Sequence, residues 1–454
     1  MHHLNTFQRF ALVGMLITAG TALAQDLTVK APPQAAPIAI INAAIHPVSG
    51  ENIANGYIVF EMGRITKIGA GEASTDQFSP GTRIIDAGGK KHVYPGMVSP
   101  YTQLGLTEIQ SVPSSIDTSE TGRITPEVIA VTAVNPDSTL IPVTRSNGIL
   151  AAAVFPLGGI VSGQPSVIRL DGWTTADMTI RRSIGQVLSW PNMRTFTAWW
   201  MDQTDEDQLK NIKRDTDAIT KLFETARAYS DAKAGDPASP TDLRWEGMKP
   251  LFADASTKDG QNMPRAKLYI RANSVDQILA AVSFGQVQKL PIVIIGGRDA
   301  VLCADVLKKD NIPVIVLGTH NLPQREDEAY DEAYTLPARL HAAGIMFAMS
   351  HSDDTAHERN LPYQAAMAVA YGLDPDIALK SVTLWSAQIS GVGDEIGSLD
   401  LGKSATLIVT DGDPLETTTR ISSAFIDGRE IDLSNKQTKL AEKYRARYKQ
   451  GEKR

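Results

Sequence analysis

Tyr94-Pro95-Gly96-Met97-Val98-Ser99-Pro100-Tyr101-Thr102-Gln103-Leu104-Gly105-Leu106 separates two kinds of sequence. Ahead of it lie short apolar runs at residues 38–42, 56–61, 65–69, 83–86 and 91–94, split by glycine-containing turns such as Met62-Gly63-Arg64. Closely spaced short strands of this kind predict a small β-sandwich. Beyond Gly105 the pattern changes. Residues 149–155 form a continuous apolar run, which suits a strand buried on both faces under helices. Residues 166–170 read as a further strand, and residues 204–233 as a long helix with Asp205, Glu206 and Asp207 in its first turn.

From about residue 265 strands and helices alternate. Strands are expected at 268–271, 291–295, 313–317 and 345–349, with helices at 277–284, at 300–308 and around Leu336, Leu340 and Ala343. This rhythm predicts a parallel sheet, and with the preceding units a (β/α)₈ TIM-type barrel. After a helix opened by Asp374-Pro375, strands return at 405–410 and in a hairpin at 424–431 that turns on Asp427-Gly428. These complete the first sandwich from the other end of the chain. The expected fold class is therefore α/β. Residues 1–24 are a signal peptide, 25–94 with 397–432 a composite β-sandwich, 95–396 the barrel, and 433–454 a helical tail with a basic end.

At 454 residues the chain can build a large core and a smaller module, and 43% hydrophobic content places it among ordinary globular proteins. A net charge of -7 gives no reason to expect a nucleic-acid partner. The single cysteine, Cys303, excludes an intrachain disulfide and a cysteine-based zinc cluster. At the start, Arg9, the apolar run 10–20 and Ala22-Leu23-Ala24 before Gln25 read as a cleavable export signal. That run is too short to span a bilayer, no later segment is long enough, and no lipid-anchoring cysteine follows Ala24. The expected location is periplasmic or secreted, with no membrane span.

Several runs, in order along the chain, resemble the amidohydrolase superfamily, in its imidazolonepropionase-like and dipeptidase-like branch of exported proteins. They are Pro95-Gly96-Met97, Asn360-Leu361-Pro362 with Ala365 to Leu373, Thr383-Leu384 with Ala387 to Val392, Gly397-Ser398-Leu399, Gly402-Lys403-Ser404-Ala405 and Asp411-Gly412-Asp413-Pro414-Leu415. Each is weak alone, and their order and spacing make the match specific to the fold. The resemblance implies a metal-assisted hydrolase, with histidines after strands 1, 5 and 6, often a carbamylated lysine after strand 4, and an aspartate after strand 8 that takes a proton from metal-bound water.

Residue by residue, that ligand set is altered. Tyr101 and Gln103 stand at the strand 1 histidines, Arg271 at the fifth-strand histidine, and Gly296-Gly297 where the sixth-strand histidine would be. Neutral tyrosine and glutamine are poor ligands, and arginine cannot ligate. Lys267 lies at the wrong end of its strand for the carbamylated lysine. Asp353, in Ser350-His351-Ser352-Asp353-Asp354, matches the strand 8 aspartate. The resemblance therefore implies an empty ancestral metal site, with the run from Tyr101 to Gln103 forming the floor of a new pocket or a plug.

Tyr101, Gln103, Arg271, His320, His351 and Asp353 are all expected to project from strand C-termini toward one mouth. Tyr101, Gln103 and Arg271 are the candidate substrate-binding residues; Arg271 could hold a substrate carboxylate or pair with Asp353. His320, His351 and Asp353 are the candidate catalytic residues. Two arrangements stay open for them: a displaced single-zinc site, or a metal-free acid/base pair. The serine in Ser162-Gly163-Gln164 lacks the nucleophile-elbow pattern, and Gly158-Gly159 lacks phosphate-loop spacing. The resemblance thus implies a hydrolase of carbon–nitrogen bonds other than peptide bonds, acting on a cyclic amide or N-acyl substrate. The alternative is an inactive binding protein for a small amide or carboxylate ligand, or a partner subunit of an active homologue. Homo-oligomers or mixed oligomers are likewise implied by the resemblance alone.

Overall fold

The computed structural model describes residues 25–451 except Leu27, Ser74, Thr197, Asp259, Gly260, Ser352 and Asp353. The expected signal peptide thus lies outside the described residues. The chain forms a mixed α/β fold. It opens with β1 (Ile38–Ile45), β2 (Ile53–Glu61), β3 (Arg64–Ala70), β4 (Arg83–Asp86) and β5 (His92–Pro95). Then follow β6 (Met97–Thr102), β7 (Ile149–Val154), β8 (Val161–Gly163), β9 (Ser166–Arg169), β10 (Thr179–Arg181) and β11 (Gly185–Ser189). After a hairpin of β12 (Ser256–Lys258) and β13 (Gln261–Met263) come β14 (Lys267–Ala272), β15 (Ile292–Gly296), β16 (Val314–Leu317) and β17 (Phe347–Ser350). The chain then returns in β18 (Leu407–Thr410), β19 (Ile421–Ile426) and β20 (Arg429–Glu430).

The strands from both ends hydrogen-bond into one eight-stranded sheet, in which β18 pairs antiparallel with β5 and Leu407 faces Pro95. The two-layer sandwich expected from the short strands gives way to this continuous sheet. One face buries Ile40, Ile45, Ile58, Phe60, Val93, Leu407 and Phe425 together.

β5 leads through Gly96 into β6, the first strand of the second layer. A Cβ on Gly96 would meet the Leu150 side chain at 2.6 Å, so the close approach of β6 to β7 requires glycine there. β6 and β7 pair in parallel, and β11, β14, β15, β16 and β17 form a second parallel ladder. The two ladders approach each other where β17 lies against β6. Helices cover their outer faces, among them Asp205–Gly235, Val275–Gln288, Glu332–Ala342 and Leu361–Ala370. The inner faces pack Val98, Tyr101, Ala151, Phe155, Val187, Tyr269, Val293, Ile315 and Ala348 against one another.

A uniform (β/α)₈ repeat does not describe this set, because β9 runs antiparallel to β7 and β8 antiparallel to β11. The cause is the connection: residues 155–165 carry no helix between β7 and β9, and a parallel return needs a crossover. The helix expected at 300–308 begins as a 3₁₀ turn, Ala300–Cys303, before Ala304–Lys309, and Cys303 is buried as a free thiol. Among the described residues no helix is long and apolar enough to cross a membrane.

Candidate functional site

At the C-terminal strand ends, Tyr101 closes the inner face of β6. It is 1% exposed and its ring lies 4.9 Å from that of Phe155, which in turn meets Tyr269 edge-on at 5.2 Å. Three aromatic rings therefore fill the space between the strands beneath the mouth. The Tyr101 carbonyl accepts from the Ser350 hydroxyl at 3.0 Å, which ties the end of β6 to the end of β17.

Arg271 shares the inward face of β14 with Tyr269. Its guanidinium carbon stands 5.6 Å above the Tyr101 ring, a cation–π arrangement. One terminal nitrogen donates to the Pro156 carbonyl at 3.3 Å, and the buried Nε has no partner among the described residues. Asp353 lies outside the described residues, and so does the expected pair between it and Arg271. Among the described residues no carboxylate forms an ion pair with Arg271.

Gln103 is 2% exposed, and neither its amide oxygen nor its amide nitrogen has a partner among the described residues. His351 follows β17. Its buried Nδ1 also has no partner among the described residues, and burial pulls its pKa down to about 4, with His357, His320 and Arg359 adding in the same direction against Asp354. The imidazole is therefore neutral at physiological pH. His357 stacks on it at 6.1 Å and pairs with Asp354. His320 lies at the solvent edge. Its backbone N–H donates to Gln364 Oε1 at 3.1 Å, beside Thr319, whose N–H reaches the same oxygen at 2.6 Å. Partial desolvation lowers the His320 pKa as well. The structure thus brings buried Tyr101 and Gln103 and half-buried Arg271 and His351 to the strand ends and leaves His320 exposed on the rim.

The sixth-strand position is closed by packing. Gly296 has φ +97°, and a Cβ there would sit 2.3 Å from Asn273 Oδ1. Beside it a cavity of about 270 Å³ opens between Asn273, Gly296, Leu317 and Gly318 and the loop after β16. That loop is fastened by Arg325, which pairs with both oxygens of Asp299 at 3.0 and 3.1 Å and with Glu328 at 3.0 Å.

One buried acid escaped the sequence reading. Glu358, in the 3₁₀ segment Thr355–Asn360, is completely buried. Burial pushes its carboxyl up to about 7. The hydroxyls of Ser99 and Thr102 face it, yet neither reaches hydrogen-bond geometry. Thr102 alternates with Tyr101 along β6, so Glu358 lies behind the strand that carries Tyr101. Nothing in His357-Glu358-Arg359 distinguishes it from a solvated charge run; only the packing of this turn on β6 buries it.

The fit of a divalent ion can be judged from these donors. Among the described residues no group of three His, Cys, Asp or Glu side chains could hold a metal. His320 and His351 are two imidazoles, fewer than the three protein ligands of a catalytic zinc, and a fixed guanidinium stands at the same mouth. The described residues do not fit a metal centre by themselves.

Comparison with known proteins adds the following. A family model described as "Amidohydrolase family" matches residues 291–431. A curated relative, the amidohydrolase tasK of Hapsidospora irregularis, is 23% identical over 404 residues, which is 82% of this chain and 39% of that protein. The chain thus spans well under half the length of that relative. Among solved structures, an amidohydrolase from Thermotoga maritima MSB8 superposes with a TM-score of 0.72 at 23% identity, covering 87% of this chain and 99% of its own. A molinate hydrolase gives 0.52 at 16% identity, over 89% of this chain and 96% of its own. A Xaa-Pro dipeptidase with bound methionine in its active site gives 0.52 at 12%, over 87% and 100%. At these identities the structural likenesses show the fold.

Proposed function

From its likeness to the amidohydrolase family we propose that the chain is a member of that superfamily and an exported hydrolase of carbon–nitrogen bonds other than peptide bonds. Its substrate is a small cyclic amide or N-acyl compound bearing a carboxylate. In this reading the two parallel ladders form one barrel, and substrate enters at the C-terminal strand ends. The observation that carries the proposal is the set of buried polar atoms there without partners among the described residues: both amide ends of Gln103, Nε of Arg271 and Nδ1 of His351. Buried polar groups are nearly always hydrogen-bonded, so a cluster of exceptions at one place favours a ligand that completes them.

The roles follow from the chemistry of each group. Arg271 stays protonated, and with one nitrogen held by Pro156 it keeps N–H donors for a substrate carboxylate. Gln103 offers a donor and an acceptor to the amide. His351 is too weak a base at neutral pH to take a proton efficiently, and its free Nδ1 suits holding the attacking water. Asp353, placed by resemblance at the end of the eighth strand, takes that water's proton. Asp353 then returns that proton to the leaving nitrogen, directly or relayed through the His320 imidazole at the rim. The water oxygen bonds to the carbonyl carbon, the carbon–nitrogen bond breaks, and the amine leaves protonated. The superfamily's ligand positions read as replaced by Tyr101, Gln103, Arg271 and Gly296, so no step runs through a metal.

The test is turnover of a panel of N-acyl amino acids, cyclic amides and dipeptides by the purified protein, with and without added zinc, beside elemental analysis. The proposal expects hydrolysis of carboxylate-bearing amides that is lost in Arg271→Ala. A second reading, a binding protein or an inactive subunit beside an active homologue, is favoured by the aromatic filling of Tyr101, Phe155 and Tyr269 beneath the mouth. Saturable binding of an N-acyl amino acid with no turnover under any condition would replace the first reading by the second.

A further inference from the structure

The opposite end of the strand set carries a second cavity, of about 440 Å³, beneath the start of β14 and the residues leading into β11. Most of its wall is apolar, with Ile184, Pro250, Ala253, Pro264 and Ala266. The rest is strongly cationic: Arg181, Arg182, Arg265 and Lys267 line it, and Asp254 is the one carboxylate among its lining residues.

The charges at this cavity are unequally compensated. Arg181 is buried and paired with Glu395 at 2.9 Å, so its charge is satisfied inside the fold. The other three have no carboxylate partner among the described residues. Lys267 Nζ donates to the carbonyls of Gln388 at 2.9 Å and Ile389 at 3.0 Å, which leaves one of its three hydrogens. Arg265 donates through a terminal nitrogen to the Lys289 carbonyl at 2.7 Å, while its buried Nε has no partner among the described residues. Arg182 stands exposed at the cavity edge. Holding an ammonium out of water between carbonyl dipoles alone is costly, and burial correspondingly draws the Lys267 pKa down to about 8. An anion in the cavity would supply the missing counter-charge.

We propose that this floor cavity is a binding site for a small organic carboxylate with an apolar body, its carboxylate held by Lys267, Arg265 and Arg182 and its apolar part against Ile184, Pro250 and Ala266. The site is separate from the mouth. Tyr269 lies between the two on the same strand, and its hydroxyl is fixed to the Ile389 carbonyl at 2.9 Å. A carboxylate suits the cavity better than an inorganic anion because more than a charge pocket is present: the volume beyond the cations is walled by apolar side chains, which reward burial of hydrocarbon.

The test is calorimetric titration of the full chain with hexanoate, 1-hexanol and inorganic phosphate, in wild type and in Arg182→Ala, Lys267→Met and Arg271→Ala. Saturable hexanoate binding is expected, weakened about tenfold by removing Arg182 and at least as much by removing Lys267, on the scale of one charge-assisted contact. Arg271→Ala, at the mouth, leaves it unchanged. Arg182 is exposed, so its variant keeps the test decisive if Lys267→Met fails to fold. Absence of hexanoate binding, equal binding of hexanol or phosphate, or loss of binding in Arg271→Ala with retention in Arg182→Ala would each overturn the proposal.

Discussion

Lys267 and Arg271 begin and end the inward face of a single strand, with Tyr269 between them. The two ends they mark differ in kind. Arg271 carries a permanent charge over an aromatic ring, tethered by one carbonyl. Lys267 is a titratable cation between two carbonyls with its pKa drawn down to about 8. Around Arg271 the unpartnered neighbours are an amide and an imidazole, groups that can act on a carbonyl. Around Lys267 they are further cations and an apolar wall, which can hold but not react. In these proposed roles the mouth serves chemistry and the floor retention, with the packed rings of Tyr101, Phe155 and Tyr269 between them.

The contrast is broken most severely by Arg271→Ala. It is expected to lower kcat/KM on carboxylate-bearing amides by roughly a hundred- to a thousandfold, the scale of losing a desolvated charged contact, while hexanoate affinity at the floor holds. Steady-state kinetics beside calorimetry on the same variant reads both. If floor binding falls with activity, the two ends are not independent.

Next in size are two buried titrating groups beside the mouth, which act in opposite directions. Glu358 has its pKa raised from 4.5 to about 7. Its contribution to stability is full below about 4.5 and is lost as pH rises through 7, on the order of 3 kcal/mol. His351 has its pKa lowered from 6.5 to about 4. Its contribution is full above 6.5 and is lost as pH falls toward 4, a similar amount reduced by its partial solvent contact, about 2 kcal/mol. Urea unfolding of the wild type from pH 4 to 8 is therefore expected to show a shallow profile. In Glu358→Gln the loss toward high pH disappears and stability climbs with pH; in His351→Ala it declines with pH. Parallel profiles in all three proteins would contradict the assignments.

A smaller effect is expected from Gly296→Ala. The added Cβ meets Asn273 Oδ1 at a backbone φ of +97°, so about 2 kcal/mol of stability is lost with the floor site intact. A thermal melt in the presence and absence of hexanoate checks it: the melting point drops, and the ligand-induced rise matches wild type.

Much of this architecture is legible in the residues. Pro95-Gly96 marks the entry to β6 because Gly96 must pass close to Leu150, and the alternating runs after residue 265 became β14 to β17 with their intervening helices. The direction of β9 is not legible, since an apolar run such as 166–170 reads the same in a parallel or an antiparallel strand; only the short connection before it constrains the answer. Arg271 and Tyr101 were placed at strand ends by pattern, but their stacking depends on the separation of two strands far apart in sequence. Glu358 and the cationic floor are products of packing alone. Lys267 attracts notice in the sequence by standing at the wrong end of its strand, and only the structure gathers Arg182 and Arg265 beside it.

The most direct measurement is a double cycle on the mouth: kcat/KM of wild type and Arg271→Ala on an N-acyl amino acid and on the same compound with its carboxylate converted to a neutral methylamide. If Arg271 anchors a substrate carboxylate, blocking it costs the wild type about a hundredfold and costs Arg271→Ala almost nothing. Equal losses in both proteins, or no hydrolysis of either compound by the wild type, would contradict the account.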